Sequence, residues 1–421
     1  MPRRAAVLAL LCWALIAGGC GGKQAAEPVA RANCDPIYYE GKGRPDALIV
    51  SDLPRKGDLF RETTTAMVAS IKLALRRRGF RAGDLRIGYQ SCDDTVGDIF
   101  DEAVCAADAK SYVADRDVLG VIGTYNSGCS IPMLPILSRR SAGPLAMISP
   151  ANTYAGLTRE GAGVCCGHPD SLYPDGVRNF VRLAAPDDVQ GAAGAVVAHD
   201  RGARRAVVVT LRTEDYAVAL GASFVRAARA LGMKATTFDY ASRRSFTALA
   251  TRAARSRPDV VYIAGLAQAN GLGLVRDLRR ALGRDALIVT PDAFLGLARD
   301  IGAVGEGMLV TATGAPVERL PLAGSRFVRA LGVPLARLHG TWTPEAGQSA
   351  DTLLEAIARS DGTRESVTKE LRAIRVENGI VGSFGFDADG DVDPAVFTLY
   401  RFAGGREVLV GRIPVPVDLS R

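Results

Sequence analysis

Two stretches of small polar residues stand where chemistry could take place. The first is Thr124-Tyr125-Asn126-Ser127-Gly128-Cys129-Ser130, directly after the apolar run 118–123. The second is Pro150-Ala151-Asn152-Thr153-Tyr154, after the apolar run 145–149. Hydroxyls, a glycine and free backbone N–H groups at a helix start hold an anion without any cationic side chain, because the N–H groups and the helix dipole both favour negative charge there. A carboxylate fits such a place. Ser130 and Thr153 would serve equally as ordinary helix caps, so each motif alone carries two readings.

Other chemistry-bearing residues lack the company they need. His168, His199 and His339 lie far apart, without HExxH spacing, and no GxSxG elbow, P-loop or GxGxxG occurs. With no nucleophile–base pair, no catalytic residue is named, and the chain is expected to be neither an enzyme nor dependent on a cofactor. Cys165-Cys166-Gly167-His168 has metal-ligating residue types but no CxxC partner, so no metal is expected. Asp387-Ala388-Asp389-Gly390-Asp391 resembles part of a calcium loop but lacks the distal glutamate, and reads as a turn between strands.

The elements that must position the two polar loops follow from apolar periodicity. Strands are expected over 47–53, 85–90, 118–123, 145–149, 205–211, 235–240, 260–264 and 287–290. Helices are expected over 62–78, 99–114, 131–138, 188–199, 215–231, 246–255 and 270–282. Helices over 345–359 and 364–374 precede a strand series at 382–386, 396–402 and 407–413. Alternation of strand and helix means parallel sheets covered on both faces. The break at 150–182 divides it into two series. The fold class is therefore α/β, with two doubly wound parallel-sheet lobes. Both polar loops lie beyond the carboxyl end of a strand, where open α/β sheets bind ligands.

Composition supports a soluble two-lobed body behind a leader. Arg3 and Arg4 precede an apolar run to Ile16, then Ala17-Gly18-Gly19-Cys20. The run is short of the roughly 20 apolar residues of a membrane span and reads as a signal peptide, 1–19. The cysteine behind small residues resembles a bacterial lipoprotein box, which implies lipidation at Cys20 and an extracytoplasmic place at the membrane. Residues 20–45 read as a flexible tether. The chain holds 52 basic and 45 acidic residues, a net +7 that loses two with Arg3 and Arg4. The basic run Arg76-Arg77-Arg78 ends a helix, where it suits the dipole, and no nucleic-acid partner is expected. Of eight cysteines, six remain after Cys12 and Cys20: Cys34, Cys92, Cys105, Cys129, Cys165 and Cys166. An even number outside the cytoplasm reads as disulfides. Cys92 and Cys105 could close the link 93–104, and Cys129 could join Cys165 or Cys166.

Taken in order, several motifs resemble one family. Val121 to Ser130, then Gly143-Pro144 and Ile148 to Thr153, are similar to the first-lobe core of type I periplasmic binding proteins, in the branched-chain amino acid and amide group that feeds ABC transporters. Asp187-Asp188-Val189-Gln190-Gly191 resembles the segment opening the second lobe. Thr213-Glu214-Asp215-Tyr216 resembles the loop that supplies an aromatic to the ligand, and Thr290-Pro291-Asp292-Ala293-Phe294 the loop that offers an acid to its amine. Gly307 to Val310 and Gly385 to Asp391 resemble the second and third of three crossovers. The resemblance covers about 47–413 and divides the lobes as 46–181 with 310–382, and 182–309 with 383–421.

It implies that Ser127 donates to a ligand carboxylate, that Ala151 and Thr153 hold both charged ends, that Tyr216 closes over the ligand and that Asp292 accepts the ammonium. Apart from the resemblance, Tyr125 and Trp342 each read as core or as site wall, and Tyr125 is taken with the ligand candidates. The chain departs from the family in a charged early loop, Leu53 to Asp58, in Asp292 where glutamate is common, and in the weakly polar Gly265-Leu266-Ala267-Gln268. The expected function is a lipid-anchored solute-binding protein that passes a small amino-acid-like molecule to an ABC permease. A sensor of the same fold, uncoupled from transport, is the alternative.

Overall fold

Apolar runs of the first half pair into one six-stranded sheet. In chain order these are β1 (Ala47–Leu53), β2 (Arg81–Ala82), β3 (Leu85–Asp93), then a small separate hairpin of β4 (Thr95–Val96) and β5 (Ile99–Phe100), then β6 (Val118–Gly123), β7 (Ala146–Ser149) and β8 (Phe180–Arg182). The sheet order is β2-β3-β1-β6-β7-β8, all parallel except β2. Side chains alternate across it. Leu48 and Val50 of β1 join a core with Tyr112 of α2 (Glu102–Ala114) and Met133 of α3 (Ser127–Leu137). Ala47, Ile49 and Leu53 join the opposite core with Met67 and Ile71 of α1 (Arg61–Arg77). Both faces are covered, which is why these strands read as continuous apolar runs. The computed structural model describes residues 25–420 apart from 31, 57–59, 98, 335, 336, 339 and 341, so the leader, Cys20 and His339 lie outside the described residues.

The second sheet repeats the pattern. Strands β9 (Arg205–Leu211), β10 (Lys234–Tyr240), β11 (Val260–Ala264), β12 (Leu287–Thr290) and β13 (Leu309–Thr313) run parallel in the order β10-β9-β11-β12-β13. They are wound with α4 (Asp187–Asp200), α5 (Asp215–Ala230), α6 (Thr247–Arg255), α7 (Gly271–Leu282) and the short α8 (Ala298–Ile301). The chain then returns to the first lobe with α9 (Leu322–Leu331), α10 (Thr343–Arg359) and α11 (Arg364–Ala373), of which α10 packs on α1 and on β6. The pair β14 (Gly385–Phe386) and β15 (Val392–Asp393) stands apart from both sheets. Finally β16 (Phe397–Ala403) and β17 (Arg406–Arg412) extend the second sheet antiparallel beyond β13. The chain therefore passes between lobes after β8, after β13 and before β16. Because β13 pairs with β12 and β16, the second sheet runs to Thr313, past the expected division at 309.

Several expectations are corrected by contacts remote in sequence. The stretch 25–45 is not a free tether over its described part. It runs along the edge of β3, with bridges Cys34–Cys92 and Tyr38–Tyr89, and Val29 N–H donates to Gln90 Oε1 at 2.8 Å. The disulfides join Cys34 to Cys92, Cys105 to Cys129, and Cys165 to Cys166, instead of Cys92 to Cys105 and Cys129 to the 165–166 pair. Edge pairing along β3 brings Cys34 to Cys92, and the packing of α2 on α3 brings Cys105 to Cys129. Residues 99–101 leave the expected helix, since Ile99 and Phe100 pair in the hairpin and Asp101 caps α2 by accepting from the N–H groups of Ala103 and Val104. In the basic run, Arg78 pairs with Asp351 and Glu355 of α10 at 2.6 and 3.0 Å.

Candidate functional site

Between the carboxyl ends of the two sheets lies a cleft, and its first wall is built by locking the two polar loops together. Gly123 ends β6 with φ +150°, where an added Cβ would meet the Asp52 carbonyl oxygen at 2.6 Å, so the turn requires glycine. Asn152 then bridges the loops. Its amide donates to the carbonyls of Thr124 and Tyr125 at 2.9 and 3.1 Å, and its oxygen accepts from the Ser130 hydroxyl at 2.6 Å. Ser149 Oγ donates to the Thr124 carbonyl and accepts from the N–H groups of Ala151 and Asn152.

These long-range bonds extend α3 back to Ser127, four residues before the expected start. The loop-like composition of 127–130 is overridden by tertiary contact. Ser127 Oγ accepts from the N–H groups of Thr153 and Tyr154, both at 3.2 Å. Its own O–H remains to be donated, beside the uncapped first turn of α3. That is an anion site made of a hydroxyl, backbone N–H groups and a helix dipole.

The opposite wall comes from the second lobe. Asp292 follows β12, Tyr216 opens α5, and Leu266 and Gln268 follow β11. All six ligand candidates, Ser127, Ala151, Thr153, Tyr216, Asp292 and Tyr125, line this one cleft. Phe60, Asn126, Gly128 and Glu214, none of them a ligand candidate from sequence, also line it, and of its two readings Trp342 takes the wall. Phe60 precedes α1 and its ring lies 5.0 Å from that of Tyr125. In the charged early loop before it, Arg55 pairs with Asp35 and Lys56 with Asp93. The N–H of Ala151 is given to Ser149, which leaves its carbonyl as the group it can offer.

Electrostatically the second wall is acidic. Burial pushes Asp292 up to about 6, although the Gln190 amide, the N–H of Ala293 and the Tyr216 hydroxyl all favour its ionised form. Behind it Asp187 is fully buried, and burial with the nearby Asp292 charge pushes it well above the carboxylate range against the opposing pull of Arg182 and the Thr153 hydroxyl. Among the described residues two groups have metal-ligand spacing, Asp94–Cys105–Cys129 and Cys165–His168–Asp215, but their cysteines are joined in disulfides. The 387–391 segment is a turn. Asp387 Oδ1 accepts three backbone N–H groups, and Asp391 pairs with Arg182 and Arg159.

Residues 55–403 match the family of periplasmic binding proteins. The chain belongs to that family. This periplasmic binding protein is 23% identical over 309 residues to the Leu/Ile/Val-binding protein BraC3 of Rhizobium johnstonii, a match covering 71% of this chain and 77% of BraC3. Its fold is shared with the leucine binding protein LivK of Thermotoga maritima, with TM-score 0.75 and 24% identity over 88% of this chain and 99% of that one. It is also shared with a solute binding protein of R. palustris solved in complex with benzoate, with TM-score 0.69 and 18% identity over 88% and 97% of the two chains. Proteins of this kind bind small molecules and are not enzymes. Their ligands differ while the fold persists. Among the described residues no helix is long and apolar enough to cross a membrane.

Proposed function

We propose that this binding protein captures a small zwitterionic metabolite, an amino acid or related amide, between its lobes and delivers it to an ABC permease. The observation that carries the reading is the opposition of two walls. The hydroxyl of Ser127 and the first turn of α3 suit a carboxylate, while Asp292 across the cleft suits an ammonium. Thr153 and the Ala151 carbonyl add polar partners between them, and Tyr216 and Tyr125 cover the ligand from opposite lobes. The names of BraC3 and LivK support an amino acid, and the benzoate complex shows that a relative of this fold takes a carboxylate with no amine. A thermal-shift screen across α-amino acids, amides and amine-free carboxylates separates these cases. A ligand at about 100 times its Kd stabilises the native state by about 2.7 kcal/mol. An α-amino acid should raise the melting temperature and benzoate should not; the reverse pattern would refute the zwitterion.

The protein is proposed to work at the outer face of the membrane, held by a lipid on Cys20. The charged start, apolar run and small residues before Cys20 support this. One acyl chain binds a membrane marginally, and two make the anchor durable. Cys20→Ser should therefore shift the mature protein from the membrane fraction to the soluble one, or stall its processing. Unchanged membrane fractionation would exclude the anchor.

A further inference from the structure

The cleft carries more negative charge than a zwitterion needs. Asp292 answers one ammonium. Glu214 lines the same cleft from the same lobe, and its carboxylate makes no hydrogen bond or ion pair among the described residues. It stands immediately before α5 without capping it. A side pocket opens past Ser127, Gly128 and Tyr216, where Glu214 is joined by Asp215 and, from the first turn of α2 in the other lobe, by Glu102. Neither lining contains a lysine, arginine or histidine among the described residues. Tyr216 borders both spaces and is 8% exposed, and its hydroxyl, held toward Asp292, completes no hydrogen bond of ordinary geometry among the described residues.

A half-buried carboxylate without a partner, facing two like charges, is costly unless something positive is brought to it. The three acids do not approach one another closely enough to ligate one metal ion, whereas a delocalised or flexible organic cation can lie among them. We infer that Glu214, with Asp215 beside it and Glu102 across the cleft, receives a second cationic group, so that the ligand is an amino acid with a basic side chain. The inference rests on the zwitterion reading above and extends it. The α-carboxylate goes to α3, the α-ammonium to Asp292 and the side-chain ammonium or guanidinium to Glu214.

A proton should move with the ligand. Burial first, then Asp215 and Glu102, push Glu214 up to about 7. The other titratable groups facing it in the two linings are Asp292, Tyr125, Tyr154 and Tyr216, and burial pushes each of the tyrosines up and keeps it neutral. His168 lies beyond, against Asp215, and burial lowers its pKa. A cation at Glu214 favours its ionised form, so a proton leaves on binding near neutrality and affinity rises with pH through about 7.

Calorimetric titration with lysine, arginine and their neutral counterparts norleucine and citrulline is the test, run in two buffers of different ionisation heat. The basic amino acid should bind more tightly than its neutral counterpart, with proton release. Glu214→Gln should lower its affinity by about 10- to 100-fold and lower that of the neutral counterpart far less, so that the preference for the basic amino acid is lost. This variant removes charge alone, since the carboxylate has no hydrogen-bond or ion-pair partner among the described residues. If neutral amino acids bind and basic ones do not, or Glu214→Gln leaves the preference intact, the inference is overturned and the zwitterion reading stands. If no amino acid binds, both fall.

Discussion

Asp292→Asn should weaken ligand binding by about 30- to several-thousand-fold while the empty protein melts higher than wild type at pH 8. The binding loss follows from geometry. Asp292 is the acid opposite the α3 anion site, 8% exposed, and closed lobes would leave a ligand ammonium desolvated beside an uncharged amide. Removing one partner of such a pair typically costs about 2–5 kcal/mol. The stability gain has the opposite sign and the same cause. Burial raises the folded pKa of Asp292 from 3.8 to about 6. A group raised in this way contributes stability below the ordinary carboxylate range and loses it as pH rises through about 6, so at pH 8 the empty protein bears the whole penalty. At 1.36 kcal/mol per pKa unit that penalty is on the order of 2–3 kcal/mol, and asparagine does not bear it. Melting curves at pH 4 and pH 8, with calorimetry of the ligand found by screening, read both halves. A variant that binds as wild type does would mean that the ligand has no ammonium at this position. Ser127→Ala should weaken binding less, because the N–H groups of α3 share the carboxylate.

Much of this architecture was legible in the chain because buried parallel strands leave little choice of residue. The runs at 118–123, 205–211, 260–264 and 287–290 form strands with those bounds. What escaped were elements whose identity is decided by neighbours. Phe180–Arg182 is three residues ending in an arginine, and it is a strand because β7 pairs with it and Arg182 finds partners elsewhere. Gly307 to Val310 resembles a crossover in sequence, yet from Leu309 to Thr313 the chain is a strand paired on both sides. Residues 127–130 look like a loop and become helix through Ser127, Asn152 and the bond from Cys105 to Cys129.

The site was legible in the same measure. Polar loops at strand ends are visible in sequence, and Ser127, Thr153, Tyr216 and Asp292 sit in them. Phe60 and Trp342 carry no such signal, since an aromatic ahead of a helix is as often core as cleft wall. Glu214 was visible beside Tyr216, but only the fold puts Glu102 across from it. The cysteine pairing was out of reach for a similar reason. Cys34 lies before the first strand, and nothing local says that its segment returns along β3.

At the crossing after β8, Asp391→Ala should destabilise the protein by about 3–5 kcal/mol. Arg182 is wholly buried. It donates to Asp391 Oδ1, to the Tyr154 carbonyl and to Thr158 Oγ1, each at 2.7 Å. Arg159 reaches the other Asp391 oxygen at 3.3 Å and Asp188 at the start of α4 at 2.8 Å. The turn that offers Asp391 is pressed close, since a Cβ on Gly390 would lie 2.4 Å from the Phe180 carbonyl oxygen. Four charges thus tie the site loop, the first crossing and the second lobe's first helix. Taking away Asp391 leaves a wholly buried guanidinium without its ion-pair partner, which is far costlier than losing a surface ion pair. The control is Arg182→Met with Asp391→Leu together, which removes both charges and should recover much of the loss. Denaturant unfolding of the single and double variants measures it. A single variant that loses under about 1 kcal/mol would mean that water reaches Arg182 at the crossing. Recovery in the double variant, with ligand affinity still reduced, would assign these charges to holding the site loop in register with the crossing, at a net contribution to stability near zero.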